Sequence, residues 1–222
     1  MSPSLVSFDA MLVASPESAL DLLPHPLPLQ AFCITLDTRL TADVQGVLNT
    51  LSHQLPQLTR LQLLQLDADQ MIPQLALTGL SSLSSLQHLA IDVVVLLQCI
   101  DPALATLPSL TALELSSRSV RLSDSSCELL AGLSRLRSLR VMTLNTNNDL
   151  SVLLHAVRRM QGLTELALGC CLPAGSEQEE LQQLLPPGVM LQRLVLKSQG
   201  MHAAAMRVLG QYVDDICLES HD

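Results

Sequence analysis

Aliphatic residues recur along the middle of this chain in a fixed pattern, L-x-x-L-x-x-L-x-x-L-x-L. The copies begin Leu55, Leu58, Leu61, Leu64, Leu66 and continue with Leu80, Leu83, Leu86, Leu89, Ile91. A third runs Leu104, Leu107, Leu110, Leu113, Leu115, a fourth Leu130, Leu133, Leu136, Leu139, Val141, and a fifth Val157, Met160, Leu163, Leu166, Leu168. Successive copies are offset by 25, 24, 26 and 27 positions, too regular for chance in a leucine-rich chain. Weaker copies extend the ladder at Ile34-x-Leu36, Leu194-x-Leu196 and Ile216-x-Leu218, making about eight units.

A repeat of 20 to 50 residues predicts a solenoid, in which each unit buries its apolar face only against its neighbours. Within each unit the final L-x-L predicts a short strand, its two aliphatics inward and the flanking residues outward. The returning segments are partly helical by pattern. Ser125-x-x-Glu128 and Ser176-x-x-Glu179 match the capping box. Leu150, Leu153, Leu154 and Val157 have the spacing of one helical face, and 41–51 and 201–212 look similar.

The L-x-x-L-x-L pattern at this period resembles the leucine-rich repeat family, specifically its long, helix-backed intracellular branch. The resemblance implies an α/β fold: a curved solenoid over 31–222, with parallel strands on the concave face and helices or irregular turns on the convex face. Residues 1–30, with Pro3, Pro16, Pro24, Pro26 and Pro28, lie outside the pattern and are expected to form an N-terminal cap, with a short helix after Ser15-Pro16. One departure stands out. Where the family has Asn or Cys after the strand, this chain has Asp69, Val94, Arg118, Leu144, Cys171 and Gln199, so the usual internal ladder is expected to be largely missing.

Composition narrows the function. The chain has 52 leucines, two Phe, one Tyr and no Trp, the profile of a stacked aliphatic core. The longest aliphatic run, Val93 to Leu97, is far below the ~20 residues of a membrane span. No Lys or Arg precedes Arg39, so neither a secretory signal nor a transit peptide is read at the start. Six cysteines carry no C-x-x-C spacing and no companion histidine pair, and the cysteine clusters that flank repeats in secreted family members are missing, so neither a metal nor a redox cofactor is expected. The expected location is cytoplasmic, with the cytoskeleton, the cilium axoneme or the nucleus as alternatives.

The net charge of −9 is unevenly spread: −8 over 1–117, +4 over 118–159 and −5 over 160–222. Such alternation disfavours nonspecific nucleic-acid binding, which needs a broad basic footprint. On the predicted outward positions lie Asp37, Asp67, His88, Asp92, Glu114, Arg140, Arg193 and Lys197, the candidate partner-binding residues. Asp37, Asp67 and Asp92 are expected in one column, where mutual repulsion would favour a basic partner. A cation held by Asp67, His88 and Asp92 is the lesser alternative. Arg118, Arg121, Arg135, Arg137 and Arg140 form a second candidate patch, with Arg158 and Arg159 behind it.

No catalytic residues are assigned, because no nucleophile, phosphate-binding or metalloprotease motif occurs. The resulting expectation is a noncatalytic protein-interaction module, an adaptor or scaffold for an intracellular protein partner. The alternatives are the substrate-recognition arm of a ubiquitin ligase or a structural component of a cytoskeletal or ciliary assembly, with an enzyme least favoured. Self-association through the −8 and +4 segments is a further expectation.

Overall fold

The computed structural model describes residues 7–12, 29–36, 44–65, 77–92, 102–120, 124–144, 152–153, 155–170, 191–197 and 213–219. Within them the chain builds one open parallel sheet of nine strands, arranged in sequence order. The strands are β1 (Ser7–Leu12), β2 (Ala31–Leu36), β3 (Arg60–Gln65), β4 (His88–Asp92), β5 (Ala112–Val120), β6 (Ser138–Leu144), β7 (Glu165–Cys170), β8 (Leu191–Lys197) and β9 (Val213–Glu219). Each strand pairs with the one before and after it, an arrangement compatible with a repeat solenoid.

The returning segments differ from unit to unit. Helix α1 (Val44–Gln54) precedes β3, and α2 (Asp124–Gly132) precedes β6. Single 3-10 turns, Thr78–Ser82 and Pro102–Thr106, precede β4 and β5. Helix α2 begins at Asp124, so Ser125 lies inside the first turn instead of capping it. Of the face containing Leu150, Leu153, Leu154 and Val157, Leu153 and Val157 are fully buried; the other two lie outside the described residues, as do 176–179 and 201–212.

The three-residue spacing of the leucines has a local cause. In several units the approach to the strand is a succession of i to i+3 turns, such as Leu83 N–H to Leu80 O at 2.9 Å and Leu86 N–H to Leu83 O at 3.1 Å. The same pair of bonds recurs from Leu133 to Leu130 and Leu136 to Leu133, each 3.0 Å. Turns of three residues stack positions i and i+3 on one side. All the leucines of the run therefore enter the core before the strand switches to a period of two. Leu80, Leu83, Leu86 and Leu89 are all 0% exposed.

These residues join the inward strand residues in one continuous cluster that spans the units from Leu29 to Leu194. Each buried leucine stabilises the fold by roughly 1.5–3 kcal/mol relative to leaving it in water.

Register corrects the sequence reading in two strands. In β3 the residues aligned with Leu89 and Ile91 are Leu61 and Leu63, both fully buried, so the inward pair is not Leu64 and Leu66. In β2 the aligned pair is Phe32 and Ile34 instead of Ile34 and Leu36. Strand β1 was not anticipated. It aligns Phe8, Ala10 and Leu12 with Phe32, Ile34 and Leu36, and alanine at its central position hides it from a template built on leucines.

A second ladder runs along the strand entries. The carbonyl of the residue before each strand accepts two backbone N–H groups from the next unit: Gln30 O from Thr59 and Arg60, Thr59 O from Gln87 and His88, Gln87 O from Thr111 and Ala112. The series continues through Thr111, Arg137 and Thr164. At every second unit the entry residue is threonine, and its hydroxyl donates to the same carbonyl: Thr59 to Gln30 at 2.8 Å, Thr111 to Gln87 at 3.1 Å, Thr164 to Arg137 at 3.0 Å.

Candidate functional site

Because one face of the sheet is closed by the leucine core, the opposite face carries the side chains directed away from it. Parallel register sorts them into rows. One row contains Arg60, His88, Ala112, Ser138, Glu165 and Arg193, one per strand from β3 to β8. The next contains Gln62, Ala90, Glu114, Arg140, Ala167 and Val195, and the third contains Leu64, Asp92, Ser116, Met142, Gly169 and Lys197.

The described register does not place Asp92 in an acidic column. Asp92 lies opposite Leu64, and Leu64 opposite Thr35, so the positions that align with it on β3 and β2 are not aspartates. Asp37 and Asp67 lie outside the described residues. The slip of the template by three residues in β3 and two in β2 created the apparent alignment. Among the described residues no three His, Cys, Asp or Glu side chains gather closely enough to hold a metal ion.

Four charged or ionisable residues do come together across β3 to β6. Arg60 sits directly opposite His88, and Glu114 directly opposite Arg140. Burial pushes the His88 imidazole below its ordinary pKa, and the Arg60 guanidinium pushes it further; Glu114 opposes the shift, and Arg140 adds to it. Arg140 Nη1 stands 3.7 Å from Glu114 Oε1, with the two side chains 46% and 30% exposed. An ion pair this exposed and this long contributes little to stability. Arg60 is the member that sequence reasoning missed, because the slipped template placed Leu63 outward and left Arg60 before the strand.

A second group lies across β6 to β8. Glu165 is opposite Arg193, and Ala167 lies between Arg140 and Val195 in the adjoining row. Ser138, Arg140, Glu165, Ala167, Arg193 and Val195 line a shallow depression there. Lys197 is on β8 opposite Gly169, but its side chain lies outside the described residues.

The second arginine patch is divided among internal contacts. Arg135 Nη1 donates to Pro108 O at 2.5 Å, and Arg137 Nη1 donates to Gly162 O at 2.8 Å, each joining neighbouring units. Arg159 pairs with Glu128 of α2. The side chains of Arg118 and Arg121 are outside the described residues.

Cys33 and Cys127 form no disulfide, the former half-buried on the open face and the latter buried on the core side of α2. Among the described residues no helix is long and apolar enough to cross a membrane. No protein-family model matches the sequence, and none of the curated proteins compared with it matches.

Proposed function

We propose that this chain is a leucine-rich-repeat protein that works as a noncatalytic binding module, presenting the open face of its sheet as the concave surface of a curved solenoid to an intracellular protein partner. The observation that carries this reading is the registered array on that face: charged and polar side chains from six successive strands, backed by a continuous leucine core. A rigid parallel sheet holds these groups at strand spacings of about 4.8 Å, which suits recognition of an extended protein surface. The mixed signs favour specificity and orientation over raw affinity.

Affinity capture from cell lysate tests the reading, comparing the natural chain with the double variant Arg140→Glu, Arg193→Glu. A partner retained by the first and lost by the second, with unchanged circular dichroism and melting temperature, supports it. Identical capture by both would move binding off this face and overturn the proposal.

A further inference from the structure

We infer that Arg60 and His88, side by side on β3 and β4, are the place where the open face takes an aspartate or glutamate side chain of its protein partner. This rests on reading that face as a binding surface and names the chemistry recognised at one point on it.

Arg60 differs from the other arginines of the face in having no acid beside it. Arg140 lies opposite Glu114, and Arg193 lies opposite both Glu165 and Asp215, so each is offset by its own neighbours. Beside Arg60 the register sets Ala31 and Cys33 on β2, Gln62 on β3, and His88 and Ala90 on β4. None of these is acidic. Arg60 is exposed and forms no ion pair among the described residues. Its guanidinium keeps its N–H donors for water or a ligand.

The neighbour opposite can carry the same charge. Adjacent strands set Arg60 and His88 about 4.8 Å apart, where like charges repel. His88 meets this by staying neutral: burial first, and then Arg60, lower its pKa, with Glu114 opposing and Arg140 adding to the shift. A carboxylate seated between the two reverses that balance, accepting from the guanidinium fork and from an imidazole N–H. Ala31 and Ala112 flank the pair in its row with one methyl each, which leaves the approach low.

The recognition is local, because the face as a whole is not basic. Glu114, one strand over and two positions along from His88, faces Arg140, and Asp92 lies four positions along β4, about 13 Å away. These acids disfavour a continuous phosphate backbone, which needs a broad basic footprint. One acidic side chain of an extended protein segment meets only the entry end of β3 and β4, where Arg60 stands without an acid.

The test titrates the isotope-labelled full chain with the end-capped pentapeptide Ala-Ala-Glu-Ala-Ala, followed by amide and imidazole chemical shifts. The same peptide with Gln or Lys at its centre and a twelve-residue oligothymidylate serve as comparison probes. The glutamate peptide should move the amides of 60–62 and 88–90. The chain carries a net charge of −9, so diffuse attraction of an anion does not account for such shifts. Arg60→Gln should weaken binding about threefold or more. Arg158→Gln, which removes an equal charge from an exposed position outside the sheet, should not. The bound carboxylate should also raise the pH at which the His88 imidazole titrates, since it favours the imidazolium. The amide spectrum of each variant reports its folding, and if Arg60→Gln unfolds, Arg60→Lys takes its place.

Equal shifts with the glutamine peptide, or unchanged affinity in a folded Arg60 variant, would overturn the inference. A His88 titration indifferent to the glutamate peptide would do the same. Tighter binding of the lysine peptide or the oligothymidylate at the same amides would overturn the carboxylate specificity and leave the face a binding surface. Shifts centred elsewhere, or none with any probe, would overturn the inference alone; the reading of the face as a binding surface falls only if lysate capture is also indifferent to its charge reversals.

Discussion

Arg137 and Gly162, 25 positions apart, are joined by a hydrogen bond of 2.8 Å from the guanidinium to the glycine carbonyl. Glycine allows this approach. A Cβ at position 162 would lie 3.0 Å from Arg137 Nη1 and 3.1 Å from the backbone carbonyl of Ser134, and the backbone oxygen cannot yield as a side-chain end can. Gly162→Ala should therefore destabilise the protein by about 1 kcal/mol, the steric cost exceeding the entropic gain. Gly132, in the last turn of α2, has nothing within 4 Å of an added Cβ. Gly132→Ala should stabilise by about 0.5–1 kcal/mol through helix propensity alone. Urea denaturation of both variants checks the opposite signs.

Two adjacent leucines report the register of β3. Leu63 is 0% exposed in the core, whereas Leu64 is half-buried on the opposite face. Leu63→Ala should cost about 2–5 kcal/mol, and Leu64→Ala less than about 1 kcal/mol. Equal costs, or a larger one at Leu64, would restore the slipped alignment in which Leu64 and Leu66 point inward.

The contrast explains what was legible in the sequence. From Leu80 to Leu168 the spacing of leucines placed every inward strand residue correctly, because three-residue turns followed by a two-residue strand period leave a distinctive signature. At Leu61, Leu63 and Leu64 leucines occupy both faces, and a template that counts aliphatics fits equally well three residues later. The candidate site inherited that ambiguity. Glu114, Arg140 and Arg193 fell on the open face as read, Arg60 was overlooked, and Asp92 was aligned with the wrong positions of β3 and β2. The strand-entry ladder was hidden for a different reason: it is made of backbone carbonyls, and its only sequence trace is threonine at 59, 111 and 164.

Those threonines add a third donor to carbonyls that already accept two backbone N–H groups. Their hydroxyls are exposed, so the unmade bond is replaced by one to water. Thr59→Val, Thr111→Val and Thr164→Val should each cost only about 0.5 kcal/mol. The sites are two units apart and share no partner, so the triple variant should lose about 1.5 kcal/mol. Chemical denaturation of the single and triple variants tests both magnitude and additivity; a triple loss several times the sum would mean that the hydroxyls act as one coupled chain.

His88 makes stability depend on pH. Its folded-state pKa is held below the ordinary imidazole value of about 6.5, first by burial and then by Arg60, with Glu114 opposing and Arg140 adding to the shift. Asp92, on the same strand and the same face, is exposed and four positions away. Because the unfolded chain takes up the imidazole proton more readily than the folded one, protonation favours unfolding. The contribution of neutral His88 is complete above pH 6.5, falls as pH drops below 6.5 towards the lowered folded pKa, and levels off beneath it. His88→Gln keeps a polar side chain on the face and removes the titration. Relative to that variant, the natural protein should lose melting temperature between pH 7 and pH 5. Parallel curves for the two proteins would mean that His88 titrates alike in both states, and a relative gain on acidification would mean that Glu114 outweighs burial and the arginines.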